Sequence, residues 1–132
     1  MIVLDTNAII YDALQPSRLS RKARGLIERG HSASHLTCCD ISLWEIAMLV
    51  AKGRLDPGVP VLEFIRLALA ARSIRVLAIN PEIADLSVSF DSSVGADPAD
   101  RLVAAAAVHY RATLVSFDKN LLTADLPIEV VK

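Results

Sequence analysis

The sequence has few cysteines, few aromatic residues and no excess of charge of either sign. Two of its 132 residues are cysteine, 5% are aromatic, and 14 lysines and arginines face 15 aspartates and glutamates, for a net charge of −1. The longest segment without a charged residue, 30–39, is shorter than the run of about 18 apolar residues that a membrane-spanning helix needs. We therefore expect no membrane segment. The charge balance does not indicate a nucleic-acid-binding protein, although a local basic patch is compatible with it.

The two cysteines, Cys38 and Cys39, are adjacent. Neighbouring cysteines rarely reach disulfide geometry, and a pair without further ligands is a poor zinc site. We interpret both as small apolar residues. The N-terminal segment meets an acid at Asp5 and lacks the basic start of a secretory signal. Together these features predict a protein of the reducing cytoplasm.

Hydrophobic residues are abundant instead. They make up 53% of the chain, against 22% charged residues, which excludes disorder as the main state. A chain of this length can bury one core but not two, so we predict a single domain over residues 1–132.

Short apolar segments alternate with segments of helical pattern along the chain. The predicted strands are 2–4, 36–38, 75–79, 113–117 and 128–131, and the predicted helices are 7–14, 17–29, 41–52, 61–72, 98–111 and one that opens at Asn80-Pro81. We expect Gly30 and Gly53 to end helices and Asp40 to cap the start of one. Such alternation is typical of βαβ units, so the predicted fold class is α/β, with a mainly parallel sheet covered on both faces.

Several acids fall at strand ends and helix starts. Asp5 and Asp118 each follow a predicted strand, and ligands of parallel sheets bind beyond the carboxyl ends of strands. Asp97 and Asp100 lie three residues apart at the start of helix 98–111. Glu45 lies inside an apolar helix, where a carboxylate is costly to bury without a partner.

Each acid also has a purely structural interpretation. Asp5 and Asp97 can cap helices, with Asp100 as the matching acid of a capping box, and Asp118 can begin a turn. For Asp97 alone we favour the cap. Glu45 can belong to an exposed stripe with Ser42 and Lys52, but no cap explains an acid in mid-helix.

Acids that do converge must be compensated. At an effective dielectric near 20, two carboxylates about 4 Å apart repel by about 4 kcal/mol. A hard cation removes this repulsion, and oxygen ligands select Mg²⁺ or Mn²⁺ over zinc or copper. The three histidines, His31, His35 and His109, have no ligand spacing.

Four ordered segments resemble the PIN-domain nucleases, and among them the VapC-type toxins of bacterial type II toxin–antitoxin pairs. They are Ile2-Val3-Leu4-Asp5-Thr6-Asn7, then Ser42-Leu43-Trp44-Glu45-Ile46 with Lys52-Gly53-Arg54-Leu55, then Asp97-Pro98-Ala99-Asp100-Arg101-Leu102, and Thr113-Leu114-Val115-Ser116-Phe117-Asp118. The resemblance covers nearly the whole chain. It implies a PIN-like three-layer α/β/α sandwich with a mainly parallel central sheet.

The resemblance also implies Mg²⁺-dependent (or Mn²⁺-dependent) hydrolysis of RNA. The implied catalytic metal ligands are Asp5, Glu45, Asp100 and Asp118, and Asp97 is a further ligand, through water, or a cap. Thr6, Asn7 and Ser116 are expected to orient the acids. Arg101 is a candidate for contacting phosphate or pairing with an acid. The basic segment around Arg21, Lys22 and Arg24 is either an RNA track or a solvated helix face.

Partners follow from the resemblance and from one apolar helix. VapC-type toxins are usually homodimers inhibited by a VapB-type antitoxin, so we expect both partners besides the RNA substrate. Helix 61–71 is apolar around most of its circumference and is either a protein interface or an ordinary core helix. Two other functions remain open: a receiver-like phosphoacceptor domain and a non-catalytic interaction domain of PIN-like shape.

Overall fold

A five-stranded sheet organises the chain, and the computed structural model describes all 132 residues. The strands are β1 (Ile2–Leu4), β2 (Leu36–Cys39), β3 (Arg75–Leu77), β4 (Thr113–Val115) and β5 (Val130–Val131). The helices are α1 (Thr6–Leu14), α2 (Arg21–Ser32), α3 (Ile41–Ala51), α4 (Val61–Ala71), α5 (Pro81–Ser89), α6 (Pro98–His109) and α7 (Lys119–Thr123), with 3-10 turns at Pro16–Arg18 and Ser92–Val94. None of the helices is both long and apolar enough to span a membrane.

All neighbouring strands are parallel, in the order β3-β2-β1-β4-β5. The first strand is therefore central, with Val3 aligned to Thr37 on one side and to Leu114 on the other. The chain leaves β1 toward β2 and later returns on the opposite side as β4. The carboxyl ends of β1 and β4 thus form a topological switch point, where α/β sheets open a crevice.

Helices cover both faces of the sheet. Leu4 and Val115 point into a core shared with α1 to α4, whereas Val3 and Leu114 point into a second core shared with α5 to α7. Alternate residues of a strand face opposite sides, so both faces read as apolar. Four consecutive buried alanines, Ala104–Ala107, let α6 pack closely on this second side. The predicted three-layer α/β/α sandwich is confirmed.

The segment predicted as one helix over 17–29 is divided differently. A 3-10 turn ends at Arg18, and α2 begins only after Ser20, whose side chain caps it by accepting from the Ala23 amide. The helix also continues through Gly30 to Ser32. Gly30 has a packing role, because a Cβ there would lie 2.6 Å from Leu36 and 2.9 Å from Ile2 side-chain carbons.

One further local prediction was wrong, and one short helix was not predicted. Asp40 does not cap α3, since its backbone is already helical; its Oδ2 instead accepts from the Ile79 amide at 3.1 Å, beyond β3. Asp118 is followed by the five-residue helix α7 and not by a simple turn. A helix of that length is too short to show a periodic pattern.

Candidate active site

Asp5 lies at the carboxyl end of β1 and is 4% exposed. Its Oδ1 accepts the Thr6 amide at 2.7 Å, and its Oδ2 accepts the Ser116 hydroxyl at 2.7 Å. Burial raises the pKa of Asp5, and the nearby charges of Asp118 and Asp97 raise it further, while the two hydrogen bonds oppose the shift. The expected role as a cap of α1 and the expected place in a carboxylate site therefore coincide in one residue.

Glu45 projects from α3 toward the same place and is half-buried. Its Oε1 lies 2.5 Å from the Thr6 hydroxyl, which is also 3.0 Å from the Ser42 hydroxyl. Burial raises the pKa of Glu45, as do the charges of Asp5 and Asp97. Because Ser42 is fully buried, the alternative of an exposed stripe on α3 is wrong.

Asp100 occupies the centre of this group electrostatically. It lies in the first turn of α6 and is half-buried. Burial and the charges of Asp5, Asp118, Asp97 and Glu45, in that order, raise its pKa to about 8. Its carboxylate accepts no hydrogen bond that would offset these effects, so the capping-box alternative for Asp100 is wrong. We call Asp5, Glu45, Asp97, Asp100 and Asp118 the acidic cluster.

Asp97 and Asp118 each cap the start of a helix with one carboxylate oxygen. Asp97 Oδ1 accepts the amides of Ala99 at 2.8 Å and Asp100 at 3.2 Å, as the cap interpretation predicted. Asp118 Oδ1 accepts the Leu121 amide at 3.0 Å and so caps α7. In both residues Oδ2 is left for another partner.

Of the residues expected to orient the acids, Thr6 and Ser116 contact them and Asn7 does not. Ser116 donates to Asp5 and accepts the Asp118 amide at 3.1 Å, so it links the two strand-end acids. The exposed Asn7 lines a groove along α1 instead. Ser42, which the prediction did not include, contacts the Thr6 hydroxyl and so lies one contact away from Glu45. Its spacing of three residues before Glu45 was the available signal, because residues i and i+3 share a helix face.

Arg101 does not pair with an acid. Its guanidinium donates to four backbone carbonyls, those of Ser87 (3.0 Å), Gly95 (2.7 Å), Asp91 (3.3 Å) and Phe90. It therefore fastens α6 to the segment after α5. Four of its five N–H groups are used in this way, which leaves the phosphate-binding prediction without support from the geometry.

The basic residues of α2 are exposed in its first turns. Lys22 forms an exposed 2.7 Å ion pair with Glu129, and Arg24 donates to the Pro16 carbonyl at 3.0 Å. Ser20, which caps α2, bonds the carbonyl of Lys132 after β5. Arg21, Lys22 and Arg24 thus lie beside the end of β5, and both alternatives, RNA track and solvated face, remain compatible with this position.

The donor atoms of the acidic cluster are suited to a divalent metal ion, but their arrangement does not form a coordination site. All its donors are carboxylate oxygens, and none of its members forms an ion pair with a lysine or arginine. As the side chains stand, no three carboxylate, histidine or cysteine groups are arranged to hold one ion. The five predicted ligands therefore form no ready-made coordination shell. Three of the five, Asp5, Asp97 and Asp118, also use one oxygen to accept an amide at the start of a helix.

The remaining metal-ligating groups lie elsewhere. Both cysteines are buried, and burial raises the pKa of Cys38 to about 12 and that of Cys39 to about 11. These thiols are therefore neutral and inert near pH 7. His31 lies 3.5 Å from the Arg72 guanidinium, and His109 packs against Tyr110.

Several known proteins resemble this chain in sequence or in fold. Residues 2–126 match the model of the PIN domain family. The chain is 33% identical over 120 residues to Ribonuclease VapC22 of Mycobacterium tuberculosis, covering 91% of this chain and 88% of that protein. Two solved structures share the fold, VapBC2 from Rickettsia felis bound to a promoter DNA fragment and FitAcB from Neisseria gonorrhoeae. The first has a TM-score of 0.72 and 16% identity over 100% of this chain and 98% of that one; the second has 0.65 and 21% over 100% and 97%.

These findings exclude the receiver-like alternative, since that fold belongs to a different family. The central position of β1, the acids at the ends of β1 and β4, and the match over nearly all residues agree with one another. The chain belongs to the PIN domain family and, within it, to the VapC-type proteins.

Proposed function

We propose that this protein is a divalent-metal-dependent endoribonuclease that hydrolyses RNA phosphodiester bonds as the toxin of a type II toxin–antitoxin pair. The observation that supports it most is the acidic cluster, in which the charges of four other acids raise the pKa of Asp100 and no lysine or arginine forms an ion pair with any member. The 33% identity to a ribonuclease supports RNA as the substrate.

Asp5, Glu45, Asp100 and Asp118 are the residues that would hold Mg²⁺ or Mn²⁺, with Asp97 contributing through its free oxygen or through water. When bound, the metal supplies Lewis acidity at the phosphate and lowers the pKa of a bound water. Thr6 and Ser116 fix the orientation of Glu45 and Asp5 by hydrogen bonds. Burial keeps competing water away from Asp5, so its carboxylate is held in one position.

The test is RNA cleavage by purified protein with and without metal. We expect cleavage in Mg²⁺ or Mn²⁺, none in EDTA, and loss of at least a hundredfold in Asp5→Asn and Asp118→Asn. The matched control is Asp85→Asn, an exposed acid of α5 outside the cluster. Cleavage that survives EDTA or either cluster variant would contradict the proposal. Complete absence of metal-dependent cleavage in the unaltered chain would favour the non-catalytic interaction domain.

A protein partner is proposed for the α4 side of the molecule. Phe64 and Ala68 of α4 are buried, so the helix is anchored in the core, but Leu62 and Leu67 are 58% and 56% exposed. Leu67 also lines a mostly apolar groove of about 380 Å³ beside α1. A patch of this kind marks an interaction surface. We assign it to a VapB-type antitoxin, and we further expect the toxin to be a homodimer in the cytoplasm.

A further inference from the structure

A second groove, more polar than the first, runs along one face of α1. It has a volume of about 560 Å³ and lies between α1, the 3-10 turn after it and the end of α3. Asn7, two residues after Asp5, and Leu49, four residues after Glu45, both line it. Leu49 lies one helical turn beyond Glu45 on the same face of α3, so this end of the groove is about one turn from that acid. We call it the basic groove, because its lining includes Arg18 and Arg54.

The position of Arg18 is tied to the strand that carries the acids. Its guanidinium carbon lies 4.2 Å from the centre of the Tyr11 ring, a cation–π arrangement. The Tyr11 ring in turn meets the Phe117 ring edge-on, with ring centres 5.0 Å apart. Phe117 lies between Ser116 and Asp118, so one cation–π contact and one edge-on aromatic contact connect the cation to the switch point of the sheet.

The position of Arg54 is fixed by the backbone at the end of α3. Gly53 has a φ of +70°, its amide bonds the Val50 carbonyl at 3.0 Å, and the Arg54 amide bonds the Leu49 carbonyl at 2.9 Å. This is a Schellman ending, which turns the chain sharply and requires a left-handed residue at Gly53. The segment Lys52-Gly53-Arg54-Leu55, which contributed to the family resemblance, thus places a cation in the groove.

Neither guanidinium is neutralised. The three ion pairs of the molecule involve Lys22 and Arg72 but neither Arg18 nor Arg54. The acid of the groove, Asp56, accepts the Gly58 amide at 2.9 Å and forms no ion pair. The groove therefore presents two always charged donors that form no ion pair, and it begins about one helical turn from Glu45 of the acidic cluster.

We propose that Arg18 and Arg54 bind backbone phosphates of the RNA strand next to the phosphate that meets the acidic cluster. A strand whose scissile phosphate lies at a metal there must pass five acids, and cations along its path offset that repulsion. Arginine suits phosphate because its planar fork can donate two hydrogen bonds. This inference rests on the proposed function and names the substrate-positioning residues of the same site.

The experiment compares two double variants that remove equal charge. The first double variant, Arg18→Gln with Arg54→Gln, removes both cations of the basic groove. The second, Arg75→Gln with Arg111→Gln, removes two exposed arginines near the amino ends of β3 and β4, at the opposite end of the strands. Binding is measured with a fluorescent, fully 2′-O-methylated RNA oligonucleotide, and cleavage with unstructured RNA in Mg²⁺. Thermal melting checks that each variant is folded.

We expect the groove variant to bind the RNA at least tenfold more weakly, and its KM to rise while kcat changes less than threefold. The slope of log Kd against log salt should fall by about 1.4, the value for two phosphate contacts on a single strand. The control variant should change neither the RNA affinity nor the KM more than twofold. Arg18→Lys with Arg54→Lys keeps the charges and should recover most of the salt dependence.

If the groove variant and the control bind the RNA equally well, the role of Arg18 and Arg54 is overturned. Cleavage of RNA by the unaltered chain would still support the proposed function in that case. If the unaltered chain neither binds nor cleaves RNA, both proposals fail. A groove variant that keeps RNA affinity but no longer binds a polyglutamate peptide would assign the groove to an acidic protein segment and overturn the RNA assignment.

Discussion

The hydroxyl of Ser116 donates a 2.7 Å hydrogen bond to Oδ2 of Asp5, across the boundary between β4 and β1. The same hydroxyl oxygen accepts the amide of Asp118. One small side chain therefore sets both the orientation of the most buried acid and the start of the segment that carries another. Its removal should affect stability and activity together.

Ser116→Ala leaves one oxygen of a buried carboxylate without its donor, which should destabilise the protein by about 1–3 kcal/mol. RNA cleavage should fall as well, because Asp5 loses its fixed orientation. Urea unfolding and cleavage assays measure the two effects. Ser116→Thr keeps the hydroxyl and should retain most of both properties. If Ser116→Ala retained full activity, the bond would have no role in the site.

The metal-free protein should become less stable as the pH rises. The pKa of Asp100 is about 8 in the folded chain, well above its ordinary value of 3.8, so the folded state favours the protonated form. The resulting stabilisation is complete below about pH 4 and is lost as the pH rises through 8. In EDTA, Asp100→Asn should therefore be more stable than the unaltered chain at pH 9, by about 1 kcal/mol after allowance for solvent screening.

Thermal melting between pH 5 and 9 measures this effect, and Asp85→Asn is the control. Identical pH dependence in Asp100→Asn and the unaltered chain would contradict the arrangement of charges. Acid-induced unfolding below pH 4, where other carboxylates protonate, lies outside the range of the comparison.

Magnesium should reverse the pH effect. A cation that binds only the folded chain stabilises it by about 2.7 kcal/mol at a hundredfold excess over Kd. We expect Mg²⁺ to raise the melting temperature of the unaltered chain at pH 8 and to change that of Asp100→Asn or Asp118→Asn much less. Equal shifts in all three proteins would show that the cation acts elsewhere.

The basic residues of α2 provide a separate prediction about RNA. Replacing Arg21, Lys22 and Arg24 with glutamine should flatten the salt dependence of RNA binding if this face contacts phosphates. Loss of the exposed pair between Lys22 and Glu129 should cost less than about 1 kcal/mol, so the variant should fold. An unchanged salt slope would assign these residues to a solvated face and leave RNA contact to the basic groove.

The exposed leucines of α4 test the protein interface. Leu62→Ser with Leu67→Ser should weaken the association with a co-expressed antitoxin at least tenfold without loss of catalytic activity. Val88→Ser is the matched control, because Val88 is 77% exposed on α5, in the opposite layer. Sedimentation of the isolated chain at micromolar concentration shows whether a dimer forms, and a monomer there would contradict the expected homodimer.

Much of the fold and the acidic cluster could be predicted because their signals are local. Asp5 and Asp118 stand at strand ends, and a parallel sheet brings the carboxyl ends of its strands to one edge. Glu45 was indicated by its apolar neighbours in α3. All five strands and six of the seven α-helices occur where the pattern placed them, within a few residues.

Three contacts that the sequence did not indicate share a different cause. Arg101 is held by carbonyls of an irregular segment, and no sequence pattern encodes such contacts. Asn7 follows the strand-end motif, but helix geometry turns its side chain into the basic groove. Asp40 already has a helical backbone conformation, and its side chain accepts a hydrogen bond from the amide of Ile79, which is distant in sequence. In each case a tertiary contact, absent from any local window, decided the outcome.

The topology has a consequence for how the protein is made. β1 emerges first during synthesis, yet its neighbour β4 and the acid at 118 are translated more than a hundred residues later. A ribosome that stalls or releases the chain early therefore yields a fragment without the complete set of acids.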